Sequence, residues 1–359
     1  MWFMATLGRQ SGIELLRGMA MFMILILHAN YKSLGAPTLS DINYDIISSG
    51  LRMLIQALCC VSVNVFVLIS GWFGMKPSAK GLGKLLFQCV FFLSGLYIVN
   101  IALGWSDFTI KGVVGCLGIT SNYWFIRSYI LLYILSPVLN SYVAKAKKQE
   151  FRLLLIMFFS FQTIYGWSGI EVFFQQGYST ISFIGLYLLS RYIKIYCAPF
   201  DIRNASMKFG LGYLSVSVLV VAIAIVAKYN GLPSNMFSYI NPFIILSSVL
   251  LLLAFSQLHI ESKLINSIGA SCLSVYLFHH DANLMNIVYI PYVNRMYLLH
   301  DGIACLASIG IFLIVIYVLS IVCDQLRLYL WSHISRKLDL MAKSSWKVSR
   351  IWNYRSNIV

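Results

Sequence analysis

Ten mainly apolar stretches of roughly 20 residues alternate along the chain with short polar connections. A helix that crosses a bilayer needs ~20 such residues, with a usual range of ~17–25. The pattern therefore predicts an all-α, polytopic transmembrane bundle of ten spans. The first span lacks a small-residue cleavage site after it, so we expect a retained helix rather than a signal peptide. The predicted spans cover 13–30, 51–73, 82–105, 123–143, 151–167, 178–198, 207–227, 236–258, 264–282 and 302–323.

Composition agrees with this pattern. Of the 359 residues, 59% are hydrophobic and 11% charged, and the mean hydropathy is +0.79. Soluble domains carry ~25% charged residues, so the soluble and disordered classes are excluded. Eight cysteines lie mostly inside apolar runs without CxxC spacing. They predict buried apolar side chains rather than disulfides or a zinc site.

The net charge of +15 reflects topology rather than a nucleic-acid partner. If the N-terminus is cytoplasmic, 20 of the 27 Lys and Arg residues lie on the inner side and five on the outer side. Because basic residues concentrate in cytoplasmic loops, both termini are predicted to be cytoplasmic in a multi-pass plasma-membrane protein. Residues 1–325 form the predicted transmembrane domain. Residues 326–359 form a basic, aromatic cytoplasmic tail that is too short for a globular domain.

Two ionisable residues in the first span are the strongest functional candidates. A charge at a span centre costs ~2.5–3.5 kcal/mol. Arg17 and His28 are 11 residues apart, or three helical turns plus ~20°, so they share one face about 16 Å apart. Arg17 is expected near the cytoplasm, one turn after Glu14, and His28 nearer the outside. The alternatives are that Arg17 pairs with Glu14 at the inner headgroups and that His28 caps the outer helix end.

Polar and small residues at the inner end of the second span match Arg17 in depth. Gly71, next to Ser70, allows close approach of a thin ligand or simply of another helix. Asn64 lies two turns earlier. The loop that follows carries a basic cluster able to bind phosphates or to serve as ordinary inner-loop charge, although the P-loop pattern is absent. The cluster consists of Lys76, Lys80 and Lys84.

Two further segments fall at the predicted depth of His28. Trp124 and Arg127 begin the fourth span, while Tyr276 and His279 end the ninth. Aromatic residues at this depth are also typical of the membrane interface. The His279–Asp281 run does not favour a metal site, because adjacent helical residues point in different directions. We therefore expect no metal.

Together these motifs resemble acyltransferase family 3 of integral membrane proteins over almost the whole chain. The resemblance includes an Arg-x10-His pattern, a Phe-x-x-x-Ser-Gly-aromatic pattern, a Trp-Phe segment that leads to Arg127, and a Tyr-Leu-x-His segment. Where many members have an Arg-rich motif, this chain offers Lys80 and Lys84, which bind phosphate only as point charges. The matching residues are Glu14, Arg17, His28, Phe66, Ser70, Gly71, Trp72, Trp124, Tyr276 and His279.

The resemblance implies transfer of an acyl group, most simply acetyl, from cytoplasmic acyl-CoA to a sugar, glycan or lipid-linked acceptor of the cell envelope. Such O-acetylation modifies surface polysaccharides. Donor phosphates would lie near Arg17 and the basic loop, and the donor arm near Ser70 and Gly71. His28 would be the general base or would carry the acyl group. Arg127 or Trp124 would stabilise the oxyanion or hold the acceptor.

The alternative is a transporter or flippase that moves a lipid-linked sugar without covalent chemistry. Intramembrane Arg17 and His28 would then line a substrate path. Transporters often show inverted repeats and broken helices, whereas here only Pro137 lies well inside a span. In either case the partners are the bilayer and a glycan acceptor or cargo, with no nucleic acid.

Overall fold

The computed structural model describes residues 10–118, 123–169, 173–200, 202–232 and 235–355, with side chains up to 337. These residues form helices and connecting turns, with no strand among them, as the apolar pattern predicts. The α-helices are α1 (Ser11–Leu27), α2 (Leu39–Tyr44), α3 (Ile46–Cys59), α4 (Ser62–Phe73), α5 (Ala79–Ala102), α6 (Ile110–Gly115), α7 (Trp124–Lys145), α8 (Lys148–Phe161), α9 (Thr180–Tyr196), α10 (Ala205–Tyr229), α11 (Pro242–Ser256), α12 (Lys263–Ser271), α13 (Leu273–His279), α14 (Ile290–Leu299) and α15 (Gly302–Arg355).

Five helical segments in the described ranges are long and apolar enough to cross a membrane. They coincide with five of the ten predicted spans. At the other five predicted spans the α-helices are shorter than 18 residues, apart from α7. The helical membrane architecture is thus confirmed, while the number of ten spans and the orientation stay predictions. The five segments are Ser11–Ser33, Ile46–Phe73, Ala79–Ala102, Ala205–Tyr229 and Gly302–Lys337.

Several predicted boundaries differ from the observed ones. The second predicted span begins earlier, at Ile46. The ninth is divided at Cys272 and ends at His279 rather than at 282. It ends there because the carboxylate of Asp281 accepts hydrogen bonds from the backbone N–H groups of residues 283 and 284, at 3.1 and 3.0 Å, and so starts the next helical turn.

The last helix passes the predicted domain boundary without a break. Helix α15 continues from Gly302 to Arg355. The change at 325/326 is therefore one of composition, from apolar to basic and aromatic, rather than the end of a helix.

Helix α1 occupies the centre of the bundle. It packs against α3, α4, α11, α12, α13 and α15. Beyond Leu27 the helix widens into a π-helical turn, His28–Ser33. Such turns alter the direction of side chains and are frequent at functional sites. The π turn starts at His28, so the helical spacing from Arg17 to His28 remains α-helical.

Candidate active site

Two cavities border α1. After the predicted orientation, we call the one that contains His28, about 420 Å³, the outer cavity and the one that contains Arg17, about 300 Å³, the inner cavity. Phe66 and Phe125 line both. Their rings meet edge to face with centroids 6.1 Å apart. The two phenylalanines therefore form the partition between the two cavities.

His28 is hydrogen-bonded to a second buried histidine. Its Nδ1 lies 2.9 Å from Nε2 of His279, whose side chain is fully buried. On the far side, Nδ1 of His279 lies 2.5 Å from the carbonyl oxygen of Val275, one turn earlier in α13. Two imidazoles and a backbone carbonyl thus form one hydrogen-bonded chain, with His28 at its cavity end.

This chain determines which nitrogen of His28 is basic. A carbonyl oxygen only accepts, so Nδ1 of His279 carries the hydrogen atom. In the neutral pair Nε2 of His279 then accepts, and Nδ1 of His28 donates to it. The remaining nitrogen, Nε2 of His28, holds the lone pair. His28 is therefore set up to take a proton at Nε2, and His279 to stabilise the resulting imidazolium.

A third imidazole, His280, lies against the first two. Its ring stacks on His28 at 5.5 Å and on Tyr276 at 5.1 Å. The sequence analysis expected the side chains of His279 and His280 to point in different directions. This expectation is wrong, because α13 ends at His279 and the ring of His280 turns back towards His28. Ring nitrogens of the three histidines lie within 4.8 Å of one another. A metal would have to break the His28–His279 hydrogen bond, and the absence of a metal stays a prediction.

Arg17 lies in the inner cavity and pairs with Glu14. One guanidinium nitrogen, Nη1, contacts both carboxylate oxygens at 3.0 and 2.8 Å. The sequence analysis gave this Arg17–Glu14 pair as the alternative to a functional role of Arg17. The pairing occupies only Nη1, so Arg17 both pairs with Glu14 and borders the cavity.

Ser70 and Gly71 face different neighbours. Ser70 borders the inner cavity, and its hydroxyl lies 3.0 Å from the Tyr129 hydroxyl. Gly71 faces α9, where an added methyl group would meet the backbone carbonyl of Tyr187. Its position supports the helix-packing alternative.

The basic loop and Asn64 contribute unequally to the cavities. Lys84 borders the inner cavity, whereas Lys76 and Lys80 are exposed outside its lining. Asn64 is buried and donates from Nδ2 to the carbonyl oxygen of Tyr239 at 2.8 Å. It therefore fixes Tyr239, which lines the outer cavity.

Trp124 and Arg127 are separated in space. Trp124 lines the outer cavity beside His28. Arg127 is exposed and outside the lining of both cavities. Of the two candidates for holding the oxyanion or the acceptor, Trp124 is the one that the fold brings to His28.

Sequence reasoning missed most of the outer cavity wall. Tyr31 and Lys32 follow His28 within one π turn. Their closeness to His28 in the sequence was the local signal that could have identified them as site residues. Three further polar or aromatic residues of the wall come from distant segments and carry no local signal. They are Gln56, Tyr178 and Tyr239.

The fold and the site together define a helical membrane protein with a hydrogen-bonded histidine pair at one cavity and an arginine at a neighbouring one. A family model described as an acyltransferase domain matches residues 10–324. The chain therefore belongs to acyltransferase family 3, as its motifs predicted. No curated protein and no solved structure matches it. Family membership favours covalent acyl transfer over transport of a lipid-linked sugar.

Proposed function

We propose that this membrane acyltransferase moves an acyl group, most simply acetyl, from cytoplasmic acyl-CoA to a hydroxyl group of a sugar or lipid-linked glycan. The observation that carries the proposal is the hydrogen-bonded pair of His28 and His279. It leaves a basic nitrogen on His28 in the outer cavity, and Phe66 and Phe125 lie between that cavity and the one that contains Arg17. A site for transport alone would not need a base oriented in this way.

The donor would enter from the cytoplasmic side. Arg17 and Lys84 would contact its phosphates, and the slender pantetheine arm would occupy the inner cavity past Ser70. The thioester would then pass between Phe66 and Phe125 to reach His28. These rings would also exclude water from the thioester until the acceptor is bound.

In the chemical step Nε2 of His28 takes the proton from the acceptor hydroxyl, and the oxygen attacks the thioester carbonyl carbon. The carbonyl oxygen becomes an oxyanion, for which the indole N–H of Trp124 is the candidate donor. Collapse reforms the carbonyl and breaks the carbon–sulfur bond. The thiolate of CoA takes the proton back from His28, so the base is regenerated.

Replacement of the base tests the proposal. His28→Gln keeps a polar side chain but cannot take a proton, so acyl transfer in a reconstituted assay should fall by at least ~10². The protein should still insert and bind acyl-CoA, because Arg17 lies ~16 Å away. The matched control, His300→Gln, changes an exposed histidine outside both cavities and should retain full activity.

Full transfer by His28→Gln would remove His28 from the reaction and contradict the proposal.

Two further measurements distinguish direct transfer from a covalent intermediate and from metal-dependent chemistry. If the acyl group passes through a covalent intermediate, the intact mass of the protein should increase by one acyl group after exposure to acetyl-CoA without acceptor. Dialysis against a strong chelator should leave transfer unchanged, whereas a loss restored by zinc would mean that the three histidines hold a metal.

A further inference from the structure

The outer cavity continues into a second cavity of about 390 Å³. Tyr31, Gln56, Tyr178 and Tyr239 line both, so the two cavities adjoin at these four side chains, and the second one lies away from His28. We call the two together the acceptor groove.

The formally charged residues in the described lining of the acceptor groove are both lysines. Lys32 borders its inner part beside His28, and Lys228 borders its outer part. No carboxylate belongs to the described lining of either part, and neither lysine forms an ion pair within the described ranges. The carboxylate of nearby Asp41 accepts hydrogen bonds from the backbone and side chain of Thr38. The described lining of the groove thus offers two cations and no carboxylate, and Lys32 also borders a neighbouring cavity that contains Asp281.

Aromatic rings form one wall of the acceptor groove. Trp124 contacts Tyr178 with ring centroids 4.4 Å apart, and Tyr239 lies 5.2 Å from Tyr178. Such rings pack against the apolar C–H face of a sugar while hydroxyl and amide groups bind its edge. One hydroxyl is available for this, because Tyr31 Oη is buried without a hydrogen-bond partner among the described residues. A buried orphan hydroxyl of this kind is costly unless a ligand or water satisfies it.

The outer rim of the groove holds an unusual backbone conformation. Gln175 and Gln176 both have positive φ, 47° and 53°, although neither is glycine. The turn is held by Ser238, whose hydroxyl donates to the carbonyl oxygen of Gln176 at 3.2 Å. Left-handed backbone at two successive residues costs free energy and clusters at ligand sites. Gln176 itself belongs to the lining of the groove.

From these observations we infer that the acceptor is an anionic sugar, with a carboxylate or phosphate group held by Lys32 and Lys228. The inference rests on the proposed function and specifies its acceptor. Lys32 lies four residues after His28 in the same π turn, so the anion it binds belongs to the sugar that carries the reacting hydroxyl. Lys228 would contact an anion farther along the same acceptor. A neutral glycan would leave both lysines without an anion inside the groove.

Binding without the acyl donor tests the inference. The full-length protein, in phosphatidylcholine nanodiscs that lack anionic lipid, is titrated with methyl hexosides, methyl hexuronides and hexose phosphates of the gluco, galacto and manno series. In at least one series the anionic members should bind about tenfold or more tightly than the neutral one. The tighter of the uronide and the phosphate identifies the source of the charge. Added salt should reduce the preference.

Lys32→Gln should abolish most of this preference, and Lys228→Gln should reduce it. The matched control is Arg295→Gln, which removes an exposed cation outside the lining of the acceptor groove and should keep the preference. Equal binding of neutral and anionic members in every series would overturn the inference. So would failure of all members to bind, or a preference that survives both groove substitutions.

The two proposals fail separately. If the charge preference holds while His28→Gln keeps full acyl transfer, the proposed function is wrong and the anionic groove stands. If transfer depends on His28 but neutral sugars bind equally well, only the anionic acceptor is wrong.

Discussion

At the scale of single residues, the chemistry depends on which nitrogen of an imidazole carries hydrogen. The sequence offers His28 and His279 as separate candidates 251 positions apart. The carbonyl oxygen of Val275 orients His279, and His279 in turn orients His28. In the proposed mechanism His279 is therefore a positioning residue, which would act on the acceptor only through His28.

Substitution of His279 should lower the turnover number more than it alters donor binding. His279→Leu removes the hydrogen-bond acceptor of His28, so kcat should fall at least about tenfold while KM for acyl-CoA stays nearly unchanged. His279→Gln, whose amide oxygen can still accept from Nδ1, should recover part of the loss. Steady-state kinetics of the two variants check this. Equal losses of kcat in His279→Leu and His279→Gln would show that the substitutions disturb only the packing around His279.

The inner cavity gives a prediction for the donor side. Arg17→Ala and Lys84→Gln should each raise KM for acyl-CoA by about three- to tenfold, because both side chains border the cavity. Lys145→Gln, an exposed inner lysine outside the cavity, is the matched control. Kinetics at low and high salt measure the effect, which should shrink as salt is added. Unchanged KM in both variants would place the donor phosphates elsewhere.

At the scale of elements, α4 packs closely against α9, and its inner end lies beside the inner cavity. Gly71 allows this approach, because a side chain there would meet the backbone of α9 at Tyr187. Ser70, one residue earlier, points to the other side. The Ser-Gly pair therefore combines a cavity face with a packing face.

Gly71→Ala should destabilise the protein by about 1–3 kcal/mol, the usual cost of overpacking. A lower melting temperature of the detergent-solubilised protein would show it. Gly95→Ala in α5 is the control, because an added methyl group there meets nothing within 4 Å. The control should be neutral or slightly stabilising. If Gly71→Ala kept the melting temperature but raised KM for acyl-CoA, Gly71 would border the ligand instead.

At the scale of the whole molecule, the proposed reaction requires a defined orientation in the membrane. Donor and acceptor would reach His28 from opposite sides, through cavities that meet at Phe66 and Phe125. If the inner cavity opened to the outside, Arg17 and Lys84 would not meet cytoplasmic acyl-CoA. Orientation is thus a condition of the mechanism as well as of the fold.

Reporter fusions test this orientation, since 20 basic residues are predicted inside and five outside. Fusions after Lys84, Lys148 and Val359 should report the cytoplasm, and one after Lys228 should report the outside. Enzyme activity of the reporters on each side of the membrane is the measurement. A cytoplasmic signal at Lys228 would contradict the ten-span topology and place the acceptor groove on the wrong side.

The sequence by itself determined the helical membrane class, the family, and the alignment of Arg17 with His28. The class and the alignment follow from apolar length and helical periodicity, which are local properties of the chain. The family follows from the motifs that the chain shares with its members. Only the tertiary structure decided that His279 orients His28, that Gly71 packs while Ser70 faces a cavity, and that Arg127 lies outside the site. It also joined Tyr178 and Tyr239 to the acceptor groove. Such contacts depend on how separate helices pack and where they end, which periodicity within one segment does not specify.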